Sequence, residues 1–292
     1  MAVANVYHSK RLRGFLRRAG RAALIYGLLI FFGVIFALPL VWMVSTSLKS
    51  DAEVFIFPPR WIPNPIMWSN YPTGWTMYAF STYLRNTVII TLLAGVGQVF
   101  SASAVAYGFA RLRFPGRDFL FTIVLATLML PSVVTLVPLY LLFKMVGWVN
   151  TFLPLIVPAF FGGGAFYIFL LRQFFMTIPV DLTDAARIDG ATDYGIFWRI
   201  MLPLSRPALA TVAIFSFMAN WNDFMGPLIY LNSEEKRTLT LGLRDFIVAS
   251  AQRTEFQYLM AVSTITILPV MLVFFFAQKY FIQGVVLSGL KG

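Results

Sequence analysis

Read from charge to charge, the chain alternates long uncharged apolar runs with polar segments. Ala22–Leu48 carries no charge between Arg21 and Lys49, and Asn86–Ala110 carries none between Arg85 and Arg111. Phe119–Phe143 lies clean between Asp118 and Lys144. Met145–Leu171 is also uncharged, with Gly147, Asn150 and Pro154 placing a turn before its spanning part. Pro207–Ser233 holds a single carboxylate, Asp223, and Phe256–Gln278 runs clean between Glu255 and Lys279. Each block reaches the roughly 20 residues that carry a helix across the hydrocarbon layer. The pattern predicts an all-α integral membrane protein with six transmembrane helices.

Composition removes the soluble alternative. The 292 residues are 59% hydrophobic, 17% aromatic and only 12% charged, against about 25% charged in soluble domains. There is no Cys, and the single His is His8, so disulfides, thiolate metal sites, a cysteine nucleophile and a buried imidazole base are excluded. Net charge is +11. With the N-terminus inside, 15 of the 23 basic residues fall on the cytoplasmic side, among them Lys10, Arg11, Arg13, Arg17, Arg18 and Arg21. The positive-inside rule then places both termini of a multi-pass membrane protein in the cytoplasm. The surplus charge records topology and gives no reason to expect nucleic acid. The basic tail 1–21 is expected on anionic lipid. The first block, 22–48, is expected as a retained helix, because its uncharged run is too long for a signal peptide and no small-residue cleavage site closes it.

Two outer loops are substantial. Residues 49–85 interleave Pro58, Pro59, Pro63, Pro65 and Pro72 with Trp61, Trp68 and Trp75; the prolines oppose a regular helix and the tryptophans suit a membrane–water boundary. Residues 234–255 are expected to begin extended at Arg237–Leu243 and to end in a short helix. Pro131, Pro138, Pro154, Pro158 and Gly162–Gly164 interrupt the third and fourth spans, where kinks either shape a path or serve packing. Met129, Thr135 and Tyr140 are candidate path-lining residues.

The segment 172–206 is the longest inside loop between spans. It reads as two short helices with an elbow. Asp181 is positioned to cap the first, with Asp184 three residues on as a shortened capping-box partner. Gly190 suits a left-handed residue ending that helix; Thr192 is positioned to cap the second, and Pro203 to limit it. Ala185, Ala186, Ile188, Ala191, Phe197 and Ile200 supply small or apolar contacts, while Asp184, Arg187, Asp189 and Asp193 stay polar. Four of the twelve acidic residues, Asp181, Asp184, Asp189 and Asp193, lie here. On periodicity alone the segment fits either an amphipathic loop on headgroups or a helix offered to a cleft on a cytosolic partner.

The order Ala-Ala-x-x-Asp-Gly-Ala, then Phe and Leu-Pro-Leu-x-x-Pro, resembles the EAA loop of ABC importer permeases. The match runs from Asp184, Ala185, Ala186, Asp189, Gly190 and Ala191 through Phe197 and Ile200 to Leu202, Pro203, Leu204 and Pro207. Asp184 stands where the family has Glu, keeping the charge with one methylene less reach. Asn220–Leu231, Thr238–Leu243 and the ending Phe281–Gly292 are similar to carbohydrate-uptake permeases, above all the six-helix subunit of maltose-type systems. The resemblance implies a five-helix core over 86–283 with a coupling loop at 172–206, in which Asp184, Ala185, Ala186, Arg187, Asp189, Gly190, Ala191, Phe197 and Pro203 seat in an ATPase. It implies a second permease subunit, two ATP-binding cassette subunits and an extracytoplasmic solute-binding protein, with a tail at 284–292 reaching toward the ATPases. ATP and Mg would be used by those partners; this chain has no G-x-x-x-x-G-K-[ST] loop and is expected to bind no cofactor or metal and to catalyse nothing itself.

Asn220, Trp221, Asn222 and Asp223 form the candidate substrate path. Asp223 is the one ionisable residue within an apolar block and raises a functional hypothesis by default; Trp221 beside it would stack on a pyranose face. Capping or holding the outer loop is the competing role for Asp223. An ion-gradient-coupled secondary transporter is the alternative function, but it would place ionisable residues at mid-membrane and show an internal repeat, and neither is present in the sequence. An intramembrane hydrolase lacks a nucleophile–base pair.

Overall fold

A computed structural model describes the backbone of residues 2–253 and 255–289 and the side chains of 19–131, 133–249 and 255–278. The basic side chains from Lys10 to Arg18, together with Lys279 and Lys291, lie outside the described side chains. All regular structure among the described residues is helical. In chain order the helices are α1 Ala2–Ser47, α2 Asp51–Val54, α3 Asn70–Met77, α4 Phe80–Arg111, α5 Arg117–Thr127, α6 Ser132–Met145, α7 Leu153–Ile156 and α8 Ala165–Thr177. They continue with α9 Val180–Ile188, α10 Asp193–Ile196, α11 Leu202–Leu204, α12 Arg206–Trp221, α13 Met225–Tyr230, α14 Leu239–Arg253 and α15 Phe256–Gly289.

Among the described residues, four helical segments are long and apolar enough to cross a membrane: Ala19–Ser47, Phe80–Arg111, Leu153–Thr177 and Phe256–Gln278. A fifth arises if Asp193–Leu204 and Arg206–Trp221, bent by 80° at their junction, are one broken span. The block expected as the third span is not one helix: α5 and α6 are separated by a turn ending at Pro131. Pro131 has no N–H to donate and disfavours a helical conformation at Leu130, so the apolar run breaks where the proline stands. The loop 49–85 is more helical than its prolines foretold. Pro72 falls in the first turn of α3, where a missing N–H costs nothing, and α4 begins at Phe80, six residues before the uncharged block.

The chain divides into two units. The first comprises residues 1–74 and 254–264. In it, Asn70 Nδ2 donates to the carbonyls of Ser47 (2.9 Å) and Lys49 (2.8 Å), satisfying the end of α1. Lys49 is buried with its Nζ 3.9 Å from the Trp42 ring centroid, and Trp42 meets Trp61 edge-on. The outer loop is folded back by Glu53, which accepts from Arg60 (3.1 Å) and from the Asn64 amide (3.2 Å).

The second unit, residues 75–253 and 265–292, is organised around α4, which packs against α8, α12 and the 3-10 turn Val157–Phe160. Its buried face carries small residues, Ala94, Gly97, Ser101, Ala102 and Ala106, which let neighbouring backbones approach closely. The Ser101 hydroxyl donates to the carbonyls of Gly97 (2.7 Å) and Ala159 (2.8 Å), tying the 3-10 turn to the helix. Gly163, at φ +63, approaches closer still: a Cβ there would lie 2.6 Å from the Gln98 carbonyl oxygen and 2.7 Å from the Ala102 nitrogen. At the other end of α4, Asn86 Nδ2 donates to the carbonyls of Glu235 (2.8 Å) and Arg237 (2.9 Å), and Thr87 Oγ1 accepts from the Leu239 amide (2.9 Å). That amide opens α14, so the stretch expected as extended is helical from Leu239 onward. Asn150 is a second fixing point, accepting from the amides of Asn232 (3.1 Å) and Ser233 (3.0 Å).

Gly163→Ala is therefore expected to destabilise the second unit by roughly 2–6 kcal/mol, the sum of a left-handed non-glycine residue and overpacking against backbone. Gly116→Ala, at φ +77 with open space around it, pays only the conformational part. Thermal unfolding of the two variants in detergent, followed by tryptophan fluorescence, checks the order.

Candidate functional site

Of the loop expected at 172–206, residues 172–177 complete α8, and 178–206 form the two-helix hairpin with local differences. Its first helix, α9, is preceded by Pro179, which occupies the N-cap position with no side-chain cap; Asp181 lies inside the first turn. There it favours the helix through the positive end of the backbone dipole and does not cap it. After Asp189 the chain turns left-handed at Gly190, φ +83. The Ala191 amide donates to the Ala186 carbonyl (2.9 Å) and the Gly190 amide to the Arg187 carbonyl (3.0 Å), the paired bonds of a Schellman ending. Thr192 then caps α10, its Oγ1 accepting from the Gly195 amide at 3.2 Å. Pro203 does not stop the second helix: a π turn over Phe197–Met201 carries it into α11, and it ends at Ser205. The wider turn accommodates a residue that has no N–H to place in the ladder.

Arg187 clasps the elbow. It donates to Asp184 (3.1 Å) and to Asp193 (3.0 Å), one from each arm of the hairpin. The bond to Asp193 outweighs partial burial and pushes the guanidinium further above its ordinary pKa. Both pairs are solvent-exposed, so each contributes about 0–1 kcal/mol; their effect is to hold the two arms in one geometry. Asp184 thus spends its shorter reach within the hairpin.

The hairpin has two faces. Ile188 is 87% exposed and Tyr194 74% exposed, with Ala185, Asp189 and Gly190 open beside them. On the other side Ile196 and Met201 are fully buried and Phe197 is 6% exposed, its ring 5.2 Å from that of Tyr107 on α4. Ala186 and Ala191 pack against the same cluster, which includes Ala106, Phe175 and Val212. Phe197, expected among the presented residues, is thus part of the floor. Tyr194 is not among the residues singled out from the sequence, and its exposure in the fold is what marks it.

The second candidate set disperses. Trp221 is 5% exposed, its Nε1 donating to the Thr266 carbonyl (3.3 Å) and its ring stacked on Phe217, so it has no free face for a sugar. Asn222 donates to the Met218 carbonyl at the end of α12 (2.8 Å). Asp223 accepts from the Gly226 amide (3.1 Å) ahead of α13, while its carbonyl accepts from Thr240 Oγ1 (2.7 Å). Asn220 belongs to a different group: its Nδ2 donates to Gln98 Oε1 (3.0 Å) and to the Ser216 carbonyl (2.7 Å), and the Ser216 hydroxyl also donates to Gln98. Gln98, half-buried midway along α4, is the polar residue that reading the sequence overlooked, because an uncharged amide leaves the charge-to-charge pattern unbroken. Tyr140 stacks on Tyr230, and Met129 is exposed. Among the described residues no group of three or more His, Cys, Asp or Glu is placed to hold a metal ion.

Residues 98–286 match the family described as binding-protein-dependent transport system inner membrane component. The probable ABC transporter permease protein YurM of Bacillus subtilis is 35% identical over 272 residues, covering 92% of this chain and 88% of that one. The arabinooligosaccharides transport system permease protein AraQ of Halalkalibacterium halodurans is 36% identical over 254 residues, covering 85% and 86%. In a crystal structure of a bacterial ABC transporter that imports the acidic polysaccharide alginate, one chain superposes with a TM-score of 0.77 at 27% identity, covering 89% of this chain and 98% of that one. With the hairpin and its floor in place and two thirds of its length within the family match, this chain belongs to the binding-protein-dependent transport system inner membrane components, the permease subunits of ABC importers.

Proposed function

We propose that this permease moves a sugar or oligosaccharide across the cytoplasmic membrane by alternating access, and that the 178–206 hairpin is where partner ATPases drive it. The observation that carries the reading is the two-faced hairpin: Ile188 and Tyr194 project from a tip set by Gly190, above a floor of Ile196, Phe197 and Met201 packed on the spanning helices. A pure headgroup-lying loop would turn its large apolar side chains toward lipid; here the apolar tip flanks three carboxylates, Asp184, Asp189 and Asp193, a surface shaped for a protein cleft. The alternative of ion-gradient coupling finds no support among the relatives, which are named as ABC and sugar-transport permeases.

The full topology proposed is six spans with both termini cytoplasmic. The α5–α6 pair makes the third, broken at Pro131, and α12 with the bend before it makes the fifth. The partners are a second permease subunit, two ATP-binding cassette subunits that hold ATP and Mg, and an extracytoplasmic binding protein. ATP binding would draw the hairpins together and open the path outward, and hydrolysis would reset it. A carbohydrate cargo is supported by the arabinooligosaccharide, diacetylchitobiose and alginate systems to which relatives belong. Along the path, Gln98 with Asn220 and Ser216 offers the hydrogen-bonding group within the spans, whereas Asn222 and Asp223 serve the chain turn after α12.

Gly190→Pro and Ala186→Trp are expected to leave the protein in the membrane while lowering recovery of the ATPase in co-purification by about tenfold, the effect of about 1.4 kcal/mol. Full ATPase association and transport in both variants would remove the docking role. Asp223→Asn keeps an acceptor for the Gly226 amide and is expected to import substrate at the wild-type KM. Gln98→Leu is expected to raise KM several-fold, about 1 kcal/mol for one hydrogen bond, measured as uptake into vesicles of the reconstituted transporter.

A further inference from the structure

The ends of α4 and α8 lie side by side, and each is closed by an arginine of the other. Arg111, the last residue of α4, donates through Nη2 to the Phe175 carbonyl (2.6 Å) and to the Ile178 carbonyl. Arg172, in the last turns of α8, donates through Nε to the Phe109 carbonyl (3.3 Å), and its guanidinium lies 4.1 Å from the Phe121 ring centroid on α5. The final carbonyls of a helix have no partner in their own ladder, and they form the negative end of its dipole, where a cation is favoured. Charge-assisted bonds of this kind are about twice as strong as neutral ones. The bonds run in both directions, so neither helix can slide along or turn away from the other without breaking charge-assisted bonds at both ends.

Their position matters as much as their number. Ile178, whose carbonyl Arg111 grips, is the C-cap of α8, and Pro179 and then α9 follow at once. The grip is therefore at the root of the hairpin. Above it lie Phe175 and Ile178, buried in the same cluster as Ala106, Tyr107 and Phe197. A push on the hairpin tip reaches this root first.

We propose that Arg111 and Arg172 are positioning residues for energy coupling: their reciprocal caps make α4, α5 and α8 a single lever that moves with the hairpin. Without them the hairpin would still dock but would bend its root, and ATP would be spent with the path unmoved. The inference rests on the docking role proposed for the hairpin, and its test separates the two.

The test uses the complete transporter, with its second permease, ATPases and binding protein, in vesicles. Arg111→Ala and Arg172→Ala are expected to retain ATPase recovery in co-purification while raising ATP hydrolysed per substrate imported roughly fivefold or more, the lower end of site-to-site coupling effects. Arg111→Lys, whose ammonium sits on a flexible stem without the pre-organised planar fork of a guanidinium, is expected in between, and it carries the test if the alanine variant fails to accumulate. The chain has no Cys, so spin labels placed by Leu92→Cys on α4 and Phe169→Cys on α8 report the lever directly. Their separation should stay constant between nucleotide-free and ATP-bound states in the otherwise unaltered chain and change between those states with Arg111→Ala or Arg111→Lys. An unchanged ATP-to-substrate ratio in the arginine variants, or a separation that shifts with nucleotide in the otherwise unaltered chain, overturns the lever. Retained ATPase association and transport in Gly190→Pro overturns the docking role instead.

Discussion

A backbone amide or carbonyl in the hydrocarbon layer cannot turn to water, so each must be satisfied inside the protein. The rest of this structure follows from where that constraint is met by something other than a plain helical ladder. Between α7 and α8 the ladder fails over the 3-10 turn and the three glycines; α4 supplies the Ser101 hydroxyl to the Ala159 carbonyl there, and Gly163 lets the two backbones pass closely. Where α4 and α8 end side by side, carbonyls near their C-termini accept from arginines. At the opposite end Asn86, Thr87 and Asn150 close the turns that precede α14. A helix with small residues on one side is thus surrounded by irregular segments that its own polar atoms stabilise.

The same constraint explains what the sequence made legible. Uncharged runs located the four long apolar helices because charge is excluded from hydrocarbon, and Gly190 and Thr192 located the elbow because left-handed backbone and helix caps demand particular side chains. Arg187 was visible as polar, but its bridging of both arms depends on the angle of the elbow, which no local pattern encodes. Pro131 and Pro203 show the limit from the other side. Each removes one N–H, yet one separates α5 from α6 and the other is absorbed by a π turn. The difference lies in tertiary packing: Met201 and Phe197 are buried against α4 and hold the turn in place, whereas Met129 and Leu130 beside Pro131 are exposed and hold nothing.

Trp221 and Phe197 were misjudged for a related reason. A large aromatic in a family motif looks like a contact residue, but aromatic rings are also the largest available filling for the space between helices. Both rings are spent on that filling, while Ile188 and Tyr194 stay open at the tip and Gln98 is half-buried among Ser216 and Asn220. In a permease this division is reasonable. The parts that must move as a body are packed, and the parts that meet a changing partner are left open.

The first helix stands apart from this economy. None of the spanning window in Ala19–Ser47 is buried among the described residues, and its large apolar side chains from Leu24 to Leu38 are exposed. What the hydrocarbon requires of such a segment is apolar character and length, not shape. Its sequence is accordingly free to drift among apolar residues over evolutionary time, while Gly97, Ala102 and Gly163, where backbone meets ring or backbone, have almost no room to vary.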